Sequence, residues 1–115
     1  MYGNKDGKFV FAEDWKPQVL ENGVERIIKG CVDNLMVADL KWKKGQEGTV
    51  HTHPHTQATY ILSGEFESNL NGVKKILHAG EIVYTKGNVP HGLICLSETG
   101  EILDIFTPMR EDFVK

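Results

Sequence analysis

The chain has 115 residues, 40% of them apolar, and a formal net charge of −3. That length holds one domain with one modest core. The acidic balance, with no run of Lys or Arg, argues against nucleic acid or an anionic membrane as partner. Cys31 and Cys95 are too few for a disulfide-stapled scaffold and read as buried free thiols. The opening MYGNKDGKFVF lacks an apolar signal-peptide core. No stretch reaches the roughly 20 apolar residues of a bilayer span, so a cytoplasmic protein is expected.

In chain order, residues 9–11 form a short apolar-aromatic run, and 13–20 is a candidate turn of helix. Asn22-Gly23 follows Val19-Leu20 and precedes an apolar run at 24–28. It predicts a hairpin, because Asn-Gly tolerates the positive φ angles of a type I′ turn. Residues 35–42 form the next strand. The second Asn-Gly, Asn71-Gly72, is the stronger signal. Before it Phe66, Ser68 and Leu70 share one face while Glu65, Glu67 and Asn69 share the other, and 73–77 returns. Further strands are expected over 81–85, 92–96 and 101–106, with a last helical turn at 109–114. Many short strands at this spacing predict an all-β sandwich or barrel.

Three of the five histidines fall within five positions, His51, His53 and His55. On a strand, residues i and i+2 share a face, so His51 and His53 would point the same way and could share one ion. Imidazole suits Zn, Fe, Ni, Mn or Cu. Pro54 interrupts the strand, which leaves His55 at the rim. Taken alone, HTHPH is equally compatible with a surface segment holding no ion. The flanks add Gly45, Gln57 and Gly64, then Gly80, Pro90 and His91. His78 reads as a strand-end surface histidine.

GQEGTVHTHPHTQATYILSG resembles the first cupin motif, and GEIVYTKGNVPH resembles the second, Lys86 standing where proline is common. The resemblance implies a cupin double-stranded β-helix, a jelly-roll barrel. It would form a single domain over 1–115 with its barrel core at about 34–107. It also implies His51, His53 and His91 as ligands to one divalent transition metal ion (Ni, Zn, Mn or Fe), with Gln57 at the usual glutamate position. A neutral amide there leaves the ion more electrophilic and makes a redox iron role less suitable. HTHPHTQATYILSGEFE, GNVPHGLICL and EILDIFTPMREDFVK together are similar to the cupin-type pectin-degradation proteins of the KdgF family. That family converts 4,5-unsaturated monouronates, left by pectin or alginate lyases, to linear keto-uronates. Carried over, it implies Asp104, Phe106 and Arg110 as catalytic and substrate-contact residues, and a small sugar acid as substrate.

The residues themselves agree in part. Asp104 and Phe106 lie two apart and share a face, but alternation allows that face to point inward or outward. Inward, the carboxyl would be desolvated and its pKa raised, ready to exchange a proton near neutrality. Arg110 can clamp a carboxylate or sit on the surface. Met36, Trp42 and Tyr60 can line a cavity, though strand aromatics and methionines are usually packing. Competing readings are an iron cupin dioxygenase, a non-catalytic sugar-acid-binding cupin and a cupin whose ion is structural. Open sheet edges on a small barrel predict a homodimer.

Overall fold

Alternating patterns and turn residues divide the chain into short strands. The computed structural model describes residues 2–4 and 6–114, with side chains from 6 to 113. Its strands are β1 (Tyr2–Asn4), β2 (Gly7–Phe9), β3 (Gln18–Val19), β4 (Glu25–Val32), β5 (Leu35–Lys43), β6 (Glu47–His51), β7 (Thr56–Ser63), β8 (Glu65–Leu70), β9 (Val73–His78), β10 (Ile82–Thr85), β11 (His91–Cys95) and β12 (Thr99–Thr107). One 3-10 turn (Ala12–Asp14) and the helix α1 (Glu111–Val114) complete it. The helical expectation over 13–20 thus reduces to that single turn, and Gln18 and Val19 pair with β4 instead.

The strands form a six-stranded sheet in the order β10-β7-β12-β5-β4-β3, a four-stranded sheet in the order β6-β11-β8-β9, and the hairpin β1-β2. Their pairings are antiparallel, and the two larger sheets make the expected jelly roll. Asn71 and Gly72 have φ of 49° and 88°, and Leu70 pairs with Val73. That is the two-residue I′ hairpin. The first Asn-Gly behaves differently. Leu20 and Val24 close a three-residue loop, in which Gly23 N–H donates to Leu20 O at 2.9 Å and only Gly23 takes positive φ. A three-residue loop with a left-handed glycine suits strands that continue at a bulge.

Met36, Ala38, Leu40 and Trp42 of β5, Ile61 of β7 and Ile102 of β12 face Phe66 of β8 and Cys95 of β11 across the core. Trp42 and Phe66 meet edge to face at 5.6 Å, a preferred aromatic geometry. Met36 and Trp42 are therefore mainly packing, while Tyr60 is half-buried. Both cysteines are free thiols, but Cys31 is only half-buried. Toward one end the same inward faces turn polar: β7 runs Ile61, Thr59, Gln57, and β12 runs Ile102, Asp104, Phe106, all buried. This settles the phase of β12, with Asp104 inward. Among the described residues, no helix is long and apolar enough to cross a membrane.

Candidate metal centre

The polar end gathers side chains from β6, β11, the loop before β7, β7 itself and β12. His51 closes β6 and lies opposite His91, the first residue of β11. The register then slips, because Gly92 faces both Thr49 and Val50. Such a bulge re-aims the flanking side chains. A Cβ on Gly92 would lie 2.9 Å from Gly48 O and 3.1 Å from Val50 N, so the close approach needs glycine there. The His51 and His91 rings come to 4.5 Å between centroids.

His53 departs from the expectation of a shared strand face. It lies beyond β6, in the loop before β7. The loop is held from the other side, where Asn88 N–H donates to His53 O at 2.7 Å. His53 reaches the same point nonetheless: its Nε2 lies 3.1 Å from His91 Nε2 and 2.9 Å from Gln57 Oε1. His91 Nε2 is 3.2 Å from Gln57 Oε1. One nitrogen from each of His51, His53 and His91 falls within 4.8 Å of the others.

The donor chemistry fits a divalent cation. His51 Nδ1 lies 2.8 Å from Thr49 O, and His91 Nδ1 lies 2.9 Å from Val89 O. With Nδ1–H donating to these carbonyls, each Nε2 keeps its lone pair, the usual outer support of a metal-bound imidazole. Burial pushes His53 down to about 4, outweighing its bond to Gln57, and also lowers His91. Both are therefore neutral at pH 7. Two nitrogens each about 2.0–2.1 Å from a common ion sit about 2.9–3.4 Å apart at tetrahedral or octahedral angles. The 3.1 Å between His53 and His91 lies inside that range.

Gln57 is oriented by its amide nitrogen, which donates to Asp104 Oδ1 at 2.8 Å and to Thr59 Oγ1 at 3.0 Å. Its carbonyl oxygen therefore faces the imidazoles. Thr59 also donates to Asp104 Oδ1, at 2.6 Å. Asp104 is opposite Thr59, and Phe106 opposite Gln57, in the β12–β7 register. Burial pushes the Asp104 carboxyl above the ordinary range, although the Thr59 and Gln57 bonds pull it back.

The sequence-predicted residues do not all fall in one place. His51, Gln57, His91, Asp104, Phe106 and Arg110 line one cavity of about 170 Å³. His53 is 7% exposed and is not among the lining residues, but its Nε2 meets Gln57 and His91, which are. Phe106 packs edge-on to His53 at 5.9 Å. Arg110 lies over Phe106 and Phe113, but its fork is engaged by Asp112: Nε to Oδ1 at 3.0 Å and Nη2 to Oδ2 at 2.7 Å. His55 stands outside the trio, 5.3 Å from the His53 ring. His78 is exposed and bound to Glu65 and Glu81, a surface histidine as expected. Sequence reasoning passed over Thr59, although it lies two residues after Gln57 on the same face. It also passed over Arg26 and Phe113, which line the cavity from opposite ends of the chain.

The profile of the cupin domain matches residues 39–106. The pectin degradation protein KdgF of Dickeya dadantii is 36% identical over 106 residues, 90% of this chain and 96% of that protein. The structure of KdgF from a Halomonas species superposes with a TM-score of 0.87 at 31% identity, covering 93% of this chain and 98% of the other. An RmlC-like cupin from Shewanella frigidimarina gives 0.86 at 38% identity, covering 91% and 94%. The chain belongs to the cupin family and resembles its KdgF members over nearly its whole length.

Proposed function

We propose that the protein opens 4,5-unsaturated monouronates, the products of pectin or alginate lyases, to linear keto-uronates without a redox step. The observation that carries this reading is Asp104: a buried carboxyl bonded to the Gln57 amide, on the wall of a monosaccharide-sized cavity. Neither a structural ion nor a passive sugar binder needs an acid there. The likeness to proteins named for pectin degradation supports the same substrate class.

His51, His53, Gln57 and His91 would hold the divalent cation, whose identity among Ni, Zn, Mn and Fe is a matter for metal analysis. Such an ion would stabilise negative charge developing on a substrate oxygen. Asp104 moves the proton. As carboxylate it takes the proton of the anomeric hydroxyl; C1=O forms, the bond from C1 to the ring oxygen breaks, and its electron pair stays on that oxygen as an enolate. The acid then returns a proton to C4 as the C5 ketone forms, so the product is an isomer of the substrate. Both bonds to Asp104 land on Oδ1, which leaves Oδ2 for this exchange. Burial raises the Asp104 pKa above the ordinary carboxyl range, which favours its holding a proton and handing it back. Phe106 supplies an apolar wall that keeps water from the acid, and Arg110 orients the substrate from the cavity mouth.

The test follows the absorbance of the C4–C5 double bond when unsaturated galacturonate is mixed with the metal-loaded protein. Accelerated loss over buffer is expected. Asp104→Ala should slow it while keeping the cation, and His51→Ala should lose both. A wild-type rate equal to buffer, with metal bound, removes this function. We also propose a homodimer, since β3 leaves an open sheet edge with Val19 76% exposed. Sedimentation at a monomer's mass would contradict it.

A further inference from the structure

We propose that Arg26 holds the substrate's carboxylate, an inference that rests on the preceding reading of the cavity as a uronate site. Arg26 lies on β4 two residues beyond the fully buried Val24, and it lines the cavity with His51, His91 and Asp104. Its Cζ lies 3.9 Å over the Phe113 ring, and Arg110 Cζ lies 4.2 Å from the same ring. One aromatic side chain thus gathers two guanidinium groups at the cavity.

Their partners differ. Arg110 is neutralised by the two-point contact with Asp112. Among the described residues, Arg26 donates one hydrogen bond, to a neutral group, Nη2 to Gln18 Oε1 at 3.1 Å, and its buried Nε has no partner. Among the described residues no carboxylate lies within ion-pairing distance of Arg26. Burial and the like charge of Arg110 both disfavour this cation, and the Asp112 carboxylate, already engaged by Arg110, offsets only part of the penalty. An anion entering the cavity relieves both effects. On a uronate that anion is the carboxylate, whose geometry matches a guanidinium. Arg26, with its charge unspent, is better placed for this than Arg110.

The experiment titrates the zinc-supplied full chain with D-galacturonate and with its methyl ester, which lacks the charge. The wild type should bind the acid at least about tenfold more tightly than the ester, because a hydrogen bond to a charged group carries that much. R26Q should lose about ten- to a hundredfold in acid affinity with the ester nearly unchanged, and KM for the unsaturated uronate should rise in step. R26K keeps the charge without the fork and should recover only part of the loss. If R26Q does not fold, R26K decides: unaltered acid affinity overturns the proposal. R26Q with the wild-type preference for acid also overturns it. Wild-type binding that depends on Arg26, with no effect on the double bond, removes the isomerase reading and keeps Arg26. Turnover with an R26Q KM equal to wild type does the reverse. A wild type that binds neither compound removes both.

Discussion

Gln57→Glu puts the Gln57–Asp104 contact to the test. Both side chains are buried, at 7% and 8% exposure, and the amide nitrogen is 2.8 Å from Asp104 Oδ1. The substitution replaces a donor with an acceptor of the same shape. Two ionised carboxylates at 2.8 Å would repel by about 6 kcal/mol at an effective dielectric of about 20. The alternative is to keep one proton on the pair, which restores a donor. Above an unfolded glutamate pKa of about 4.3, holding that proton costs about 1.4 kcal/mol per pH unit. That is about 1 kcal/mol at pH 5 and about 5 kcal/mol at pH 8, below the repulsion throughout. The folded pair therefore titrates above the unfolded carboxyls, and its penalty is absent at low pH and grows as pH rises. Urea unfolding of chelator-treated wild type and Q57E should diverge by about 4 kcal/mol between pH 5 and pH 8. A domain of this size has about 5–15 kcal/mol in all, so Q57E should be close to unfolding at pH 8. A penalty that stays flat across this range would refute the contact.

Further outcomes follow from other parts of the fold. Asp104→Asn preserves the acceptor for Gln57 and Thr59, so cation binding should persist while turnover falls about 10²–10⁴-fold; turnover within threefold of wild type would show that Asp104 moves no proton. Burial, and a hydrogen bond with Glu101, push Asp39 up to about 6 from 3.8, against the pull of Lys29 at 3.8 Å. The native state then keeps a proton that the unfolded chain loses, and stability falls as pH rises from 3.8 to about 6. Asp39→Asn should therefore stabilise by about 1 kcal/mol at pH 7, after allowance for solvent screening, and by nothing below pH 4; equal effects at both pH values would contradict this. Gly92→Ala places a methyl group against Gly48 O and Val50 N, and should cost about 1–3 kcal/mol in thermal or urea unfolding. The same change should weaken cation binding by separating His51 from His91; unchanged affinity would show that the bulge does not position them.

Much of this molecule was legible from residue order, for identifiable reasons. Local turn chemistry carried the Asn71-Gly72 hairpin, where both residues take positive φ. At Asn22-Gly23 the same dipeptide closes a three-residue loop, because the flanking pair is Leu20 with Val24, and the β3–β4 register, not the dipeptide, fixes that pair. The three histidines and Gln57 were readable from motif spacing, yet the strand-face argument for His53 was wrong in its route. Pro54 ends β6 early, and the loop is tied instead by Asn88. Alternation could not choose the phase of Asp104, since Leu103 and Ile105 on the opposite face are apolar too. Arg110 was visible through the family likeness, but its pairing with Asp112 was not. Arg26 carried the faintest signal, a charged residue in step with Val24 on an apolar strand, and its partner Phe113 lies at the far end of the chain.

The central claim is that His51, His53, Gln57 and His91 converge on one cation. Equilibrium dialysis of the chelator-treated chain against zinc or nickel measures it directly. One tightly held ion per chain is predicted, with the stoichiometry falling to zero in His53→Ala while the fold is retained by circular dichroism. A wild-type chain that stays folded and takes up no ion, or a His53→Ala chain that still holds one, would contradict the account.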